Sequence, residues 1–211
     1  IPLTAEPMTK IVENSDLLLT EIAGQPIADL VSKYGTPCYV YDATTITRRI
    51  ADLAQFDVIR YAMKACSNLA VLDLMRRHGV VVDTVSLGEI ERARASGYKT
   101  QNPQVPPIVY TADIFDREAL ESVTAQQIAV NLGSPDMIDQ YGEAYQTATQ
   151  NGSKLPRREI TLRINPGFGH GHSQKTNTGG EQSKHGIWHD QLQQCIDQAH
   201  QYDLVVTGMH M

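Results

Sequence analysis

The chain has 211 residues and a mass of 23.3 kDa, enough for one domain of ordinary size with its own hydrophobic core. Apolar residues make up 41% and charged residues 20%, a globular mix that excludes collagen-like repeats, coiled coil and wholesale disorder. A formal charge of −6, a pI near 5.6 and no basic run longer than a pair argue against an electrostatic nucleic-acid surface and leave a small molecule as the default partner.

No apolar run approaches the roughly 18 residues of a membrane span, and residues 1–10 lack the basic-then-apolar pattern of a signal peptide. Cys38, Cys66 and Cys195 are odd in number, far apart and without C-x-x-C pairing. Neither a disulfide framework nor a zinc ribbon is therefore expected, and a reducing cytoplasm fits. The chain opens on Ile1 and stops on a strand-like run, which reads as a fragment.

Taken in chain order, Tyr39, Val40 and Tyr41 after Thr36-Pro37 suggest a short strand of another sheet, followed by a helix over 43–55 that starts at the N-cap Asp42. Residues 58–63 read as a strand, 69–78 as a helix closed by Gly79, 80–85 as a strand and 87–96 as a helix ended by Gly97. Strands at 108–110, 128–130 and 160–164 continue the series, with helices over 116–124 and 135–149 between them. A helix over 189–201 leads to a terminal strand, 204–211.

Strands alternating with helices predict right-handed βαβ units on a parallel sheet. No G-x-G-x-x-G follows the first strand, which tilts the choice from a doubly wound sheet toward a (β/α)8 TIM-type barrel. A closed barrel needs about 250 residues. The α/β fold expected here is thus an incomplete barrel of about six βα units, with the sixth strand's outer edge unpaired.

The C-terminal ends of barrel strands form the catalytic face. Lys64 stands at that end of the first strand, where loss of solvation favours the free amine that Schiff-base chemistry needs; an ordinary surface lysine is the plainer reading. Asp83 lies at the same end of the next strand, within reach of Lys64. Ser86 and Glu89, three apart, also match a capping box, a structural role.

Residues 165–186 form the most unusual stretch, Gly-rich and polar with Phe168 as its one large apolar residue. Its length exceeds the roughly 12–15 residues beyond which a structureless loop is usually functional or disordered. His170, His172, His185, His189 and His210 invite a metal reading, but histidines two apart in a Gly-rich loop lack the i, i+4 spacing of a zinc pair. No metal is expected, and the loop reads as a substrate contact. His210, near the end of the last strand, stays open between a barrel-interior or structural role and a catalytic one.

The runs Tyr61-Ala62-Met63-Lys64-Ala65-Cys66-Ser67-Asn68, Val82-Asp83-Thr84-Val85-Ser86-Leu87-Gly88-Glu89-Ile90, Leu162-Arg163-Ile164-Asn165-Pro166-Gly167-Phe168-Gly169-His170-Gly171-His172, Ser183-Lys184-His185-Gly186 and Gly208-Met209-His210-Met211 together resemble the diaminopimelate decarboxylases. These are fold-type III pyridoxal-phosphate enzymes, related to ornithine and arginine decarboxylases and alanine racemase. The resemblance covers the chain from about residue 20 onward, in the family's order and spacing.

It implies pyridoxal 5'-phosphate as cofactor, bonded to Lys64, with Asp83, Arg163 and His210 in the cofactor's surroundings. His170, His172, Thr178, Ser183 and Lys184 would belong to the loop that meets an amino-acid substrate. It further implies decarboxylation of meso-2,6-diaminopimelate to L-lysine and carbon dioxide, in lysine biosynthesis, by a cytoplasmic homodimer with active sites at the interface. Residues 1–42 would contribute a strand to a separate β-domain, and 43–211 would form a partial alanine-racemase-like barrel. The family's His-Ile-Gly-Ser run, its phosphate-gripping loop, its Glu-Pro-Gly-Arg run and its cysteine proton donor have no counterpart in these residues, so the 211 residues alone are expected to be inactive. The rival readings are a non-catalytic pyridoxal-phosphate-binding barrel, another amino-acid decarboxylase of the same fold type, and a metal-binding module built on the histidines.

Overall fold

The computed structural model describes residues 19–102, 104–154, 156–169, 179–181 and 183–211. It divides into two compact units, one ending at Asp52 and the other running from Leu53 to Met211. In the first unit, β1 (Glu21–Ile22) and β2 (Gln25–Pro26) form an antiparallel hairpin. Its two turn residues, Ala23 and Gly24, both have positive φ, 51° and 74°, the geometry whose twist matches a two-residue hairpin.

Two helices follow in that unit, α1 (Ile27–Tyr34) and α2 (Ala43–Ala51). The Asp42 carboxylate caps α2 by accepting from Thr44 N at 2.9 Å and Thr45 Oγ1 at 2.6 Å. The helix stops four residues before the expected Gln55. Tyr39, Val40 and Tyr41 are exposed and belong to no strand among the described residues; the strand expected there is one of another sheet, and β-favouring side chains make a strand only where a neighbouring strand supplies the ladder.

The second unit alternates strand and helix: β3 (Arg60–Ala62), α3 (Leu69–Arg77), β4 (Val81–Thr84), α4 (Leu87–Ala95), β5 (Ile108–Tyr110), α5 (Arg117–Gln126), β6 (Ala129–Leu132), α6 (Pro135–Gln150), β7 (Glu159–Asn165), β8 (Ile187–Trp188), α7 (Leu192–Gln201) and β9 (Val205–His210). All ladders are parallel. The order is β3-β4-β5-β6-β7, with β9 pairing along β7 and β8 pairing with its last two residues. The sheet therefore has seven strands rather than the six read from sequence; β8 is two residues long and follows a Gly-rich stretch that hides it.

Side-chain alternation divides the sheet into two faces. On β7, Ile160, Leu162 and Ile164 are buried, whereas Glu159 is exposed and Thr161 and Arg163 are half-buried. On β4, Val82 and Thr84 are buried and Val81 and Asp83 are half-buried. The buried row packs with Leu72, Ile90, Ala93, Val123, Met137, Ile138, Tyr141, Cys195 and Ala199 of the helices in one continuous core. The other row, drawn from β3, β5, β6, β7 and β9, lines a cavity of about 430 Å³. One cavity lined from both ends of the strand series means that the sheet curls around it, as in an open barrel.

Candidate active site on the inner face of the sheet

Register places the polar inner row. Ala62 on β3 is level with Asp83 on β4, and Asp83 with Val109 on β5. Val109 is level with Ala129; two residues further along, Thr111 and Asn131 continue on the same face, and Asn131 is level with Thr161. Two residues beyond Thr161, Arg163 stands opposite His210 of β9. The parallel strands carry Asp83, Thr111, Arg163 and His210, near their C-terminal ends, toward one rim.

Lys64 reaches that rim by a different route. The expected strand over 58–63 is shortened to Arg60–Ala62, and Met63–Ala65 forms a 3-10 turn in which Met63 is buried and Lys64 is exposed. The Asn68 carboxamide then starts α3 by accepting from Ala70 N at 2.9 Å. Lys64 is thus pushed out over the rim, and the apolar enclosure expected around it is not formed by the described residues.

Asp83 is the electrostatic centre. Burial raises its pKa above the ordinary carboxylate value. A hydrogen bond from Thr111 Oγ1 at 2.5 Å and the positive fields of His210, Arg60 and Lys64 oppose that rise. The Asn131 Nδ2 donates in turn to Thr111 Oγ1 at 2.6 Å, so three adjacent strands hold one carboxylate through a relay. Thr111 and Asn131 are themselves buried, which makes each unmade bond costly. His210 is pushed the other way: burial and the Arg163 charge lower its pKa, against the pull of Asp83. Its buried Nδ1 has no hydrogen-bond partner among the described residues.

Ser86 and Glu89 take the structural role. Ser86 Oγ accepts from Glu89 N at 3.3 Å, and the Glu89 carboxylate accepts from Val85 N at 2.8 Å. Of the loop residues, His170, His172 and Thr178 lie outside the described residues. Ser183 Oγ accepts from His185 N at 3.2 Å, and Lys184 is exposed.

The two feet of that loop are joined by buried Asn165. Its Nδ2 donates to Gly180 O at 3.0 Å, and its Oδ1 accepts from Gly180 N at 2.9 Å and Gly167 N at 3.1 Å. Gly186, at φ 81°, lies so close to Asn165 N that a Cβ would meet it at 2.9 Å, so only glycine fits beneath the loop.

Sequence reading missed Asp113, Thr111, Asn131 and Arg60. Asp113 accepts from Arg163 Nη1 at 2.9 Å, and Arg60 Nη1 donates to Val82 O at 3.0 Å and Pro106 O at 3.1 Å. Thr111 and Asp113 follow a strand end at the catalytic face, the same signal that singled out Asp83. Asn131 lies inside an apolar strand, where a buried amide marks a hydrogen-bond network.

A parallel βα sheet curled around a polar inner face defines the class of open βα barrels. Residues 44–211 match the family described as "Pyridoxal-dependent decarboxylase, pyridoxal binding domain", and the chain belongs to that family. It is 52% identical over 194 residues to the diaminopimelate decarboxylase of Escherichia coli strain K12, covering 91% of this chain and 43% of that protein. With the diaminopimelate decarboxylase of Streptomyces coelicolor it shares 50% identity over 188 residues, 89% of this chain and 40% of the relative.

In structure it matches a crystal structure of diaminopimelate decarboxylase with a TM-score of 0.78 at 52% identity, covering 88% of this chain and 41% of that one. It also matches the Helicobacter pylori diaminopimelate decarboxylase complexed with L-lysine, with a TM-score of 0.75 at 26% identity, over 87% of this chain and 46% of that one. The chain spans less than half the length of these relatives. Among the described residues, no helix is long and apolar enough to cross a membrane.

Proposed function

We propose that this chain supplies the cofactor-bearing barrel segment of a decarboxylase that converts meso-2,6-diaminopimelate to L-lysine and carbon dioxide. The observation that carries the reading is the convergence of Lys64, Asp83, Arg163 and His210 from four strands on one rim, where Asp83 feels the charges of both Lys64 and His210. The similarity to decarboxylases named for this substrate supports the substrate class.

The residues present fit pyridoxal 5'-phosphate. Lys64 offers an exposed amine, Arg60, Lys64 and Arg163 bring positive charge against Asp83 and Asp113, and His210 presents a buried ring nitrogen without a hydrogen-bond partner among the described residues. When bound, the cofactor draws the electron pair left behind by departing carbon dioxide away from the substrate carbon. Lys64 fixes the cofactor through its amine. Asp83, held by the Thr111–Asn131 relay, keeps a negative charge between Lys64 and His210. Arg163 presents its guanidinium to the same rim, opposite His210. Residues 169–184 meet the substrate, His170, His172 and Thr178 among them. Cytoplasmic location, homodimerisation with shared active sites, and a contribution of residues 1–42 to a β-domain belong to this same reading.

The test is carbon dioxide release from diaminopimelate by the complete natural polypeptide loaded with pyridoxal phosphate, beside Lys64→Ala. Turnover yielding L-lysine, reduced about a thousandfold or more by Lys64→Ala, is expected, because the remaining groups cannot replace a covalent anchor. Turnover of ornithine or arginine in place of diaminopimelate would assign another decarboxylase of the family. Cofactor binding without any carbon dioxide release would assign a non-catalytic barrel.

A further inference from the structure

Asp113 lies in the turn after β5, between two groups of the rim. Its Oδ1 accepts from Arg163 Nη1 at 2.9 Å, and its Oδ2 stands 2.6 Å from His185 Nδ1. The partners come from separate places: Arg163 from the inner row of β7, His185 from the stretch just before β8. The side chains of Arg163, Asp113 and His185 are 15%, 30% and 27% exposed, so water screens them less than it screens a surface pair.

An arginine near the end of a strand has four rotatable bonds and no fixed direction of its own. A carboxylate on the turn after β5, within hydrogen-bond distance of its guanidinium, gives it one. Asp113 also sets a negative charge beside Arg163, which stands opposite His210 of β9. Resting on the reading above that Arg163 faces the cofactor, we propose that Asp113 is a positioning residue: it fixes the direction of the Arg163 guanidinium and ties that strand end to His185.

The test uses the complete polypeptide and titrates pyridoxal phosphate by its absorbance, giving a dissociation constant independent of turnover. Asp113→Asn keeps the size of the side chain and removes its charge; we expect the dissociation constant to rise about tenfold, the scale of one charge-assisted hydrogen bond. Asp113→Glu keeps the charge and should recover most of that loss. In a cycle with Arg163→Lys, the double variant should bind within about twofold of Arg163→Lys alone, because both changes remove one interaction.

A purely structural Asp113 would lower Tm and leave the dissociation constant unchanged. Wild-type affinity in Asp113→Asn, equal losses in Asp113→Asn and Asp113→Glu, or losses that multiply in the double variant would each overturn the inference. Should Asp113→Asn fail to fold, Asp113→Ser, which also removes the charge, runs the same cycle with Arg163→Lys. An active Lys64→Ala would overturn the underlying reading. An inactive Lys64→Ala beside wild-type affinity in Asp113→Asn would overturn this inference alone.

Discussion

The two faces of one sheet differ more than any two segments of the chain. On β7, Leu162 and Arg163 are neighbours in sequence and opposites in environment: Leu162 is wholly buried under helices, and Arg163 is half-buried beside His210 and Asp113. Period-two alternation thus assigns stability to one set of side chains and chemistry to the other. The division teaches that variants a single residue apart should report on different properties.

The largest effect on folding is expected at the apolar face. Leu162→Ala should cost about 3 kcal/mol, the usual toll for a large-to-small change in a closed core. Chemical denaturation of the complete polypeptide measures it, and cofactor affinity per folded molecule should be unchanged. Gly142→Ala comes next. An added Cβ on α6 would stand 2.2 Å from the Tyr202 ring, whose hydroxyl donates to Asp139 Oδ1 at 2.9 Å. Displacing that ring should cost about 1–3 kcal/mol, again read by denaturation.

Thr111→Val breaks the division from the polar side. It removes the hydrogen bond that lowers the Asp83 pKa while keeping the side chain's shape. Asp83 should then titrate still further above its ordinary value. A group whose folded pKa is raised binds its proton more tightly when folded, so stability falls as pH rises from the unfolded value through the folded one. That fall should be deeper in Thr111→Val than in the wild type, as thermal melts across the acid range would show.

The smallest effect concerns His210, whose folded pKa lies below the ordinary 6.5. The folded state resists its protonation, so stability should decline as pH falls below 6.5 toward the folded value. His210→Asn should remove that decline, a change of about a degree or two in Tm. An unchanged profile would show that His210 does not feel the burial and the Arg163 charge described here.

Much of this was legible in the sequence because it was periodic or punctuated. The alternating runs gave the parallel sheet, and Gly79, Gly97, Asp42 and Ser86 marked helix ends close to where they fall. Strand ends in a barrel share a rim, which singles out Lys64 and Asp83; Arg163 rests on the family resemblance alone, and His210 stays open from sequence. What escaped depended on tertiary context. Tyr39–Tyr41 had strand composition without a partner strand among the described residues, β8 is too short to show a period, and nothing local announced that Asp113 would meet residues fifty and more positions away. The enclosure expected for Lys64 failed for a physical reason too: a 3-10 turn after a three-residue strand carries it outward.

The polar face as a cofactor site is tested most directly by borohydride reduction of the complete polypeptide in the presence of pyridoxal phosphate, followed by peptide mapping. Reduction converts a lysine-bound cofactor into a permanent label. The label should fall on the peptide that contains Lys64 and disappear in Lys64→Ala. A label on Lys175 or Lys184 instead, or none on Lys64 in an active protein, would contradict the assignment of chemistry to this rim.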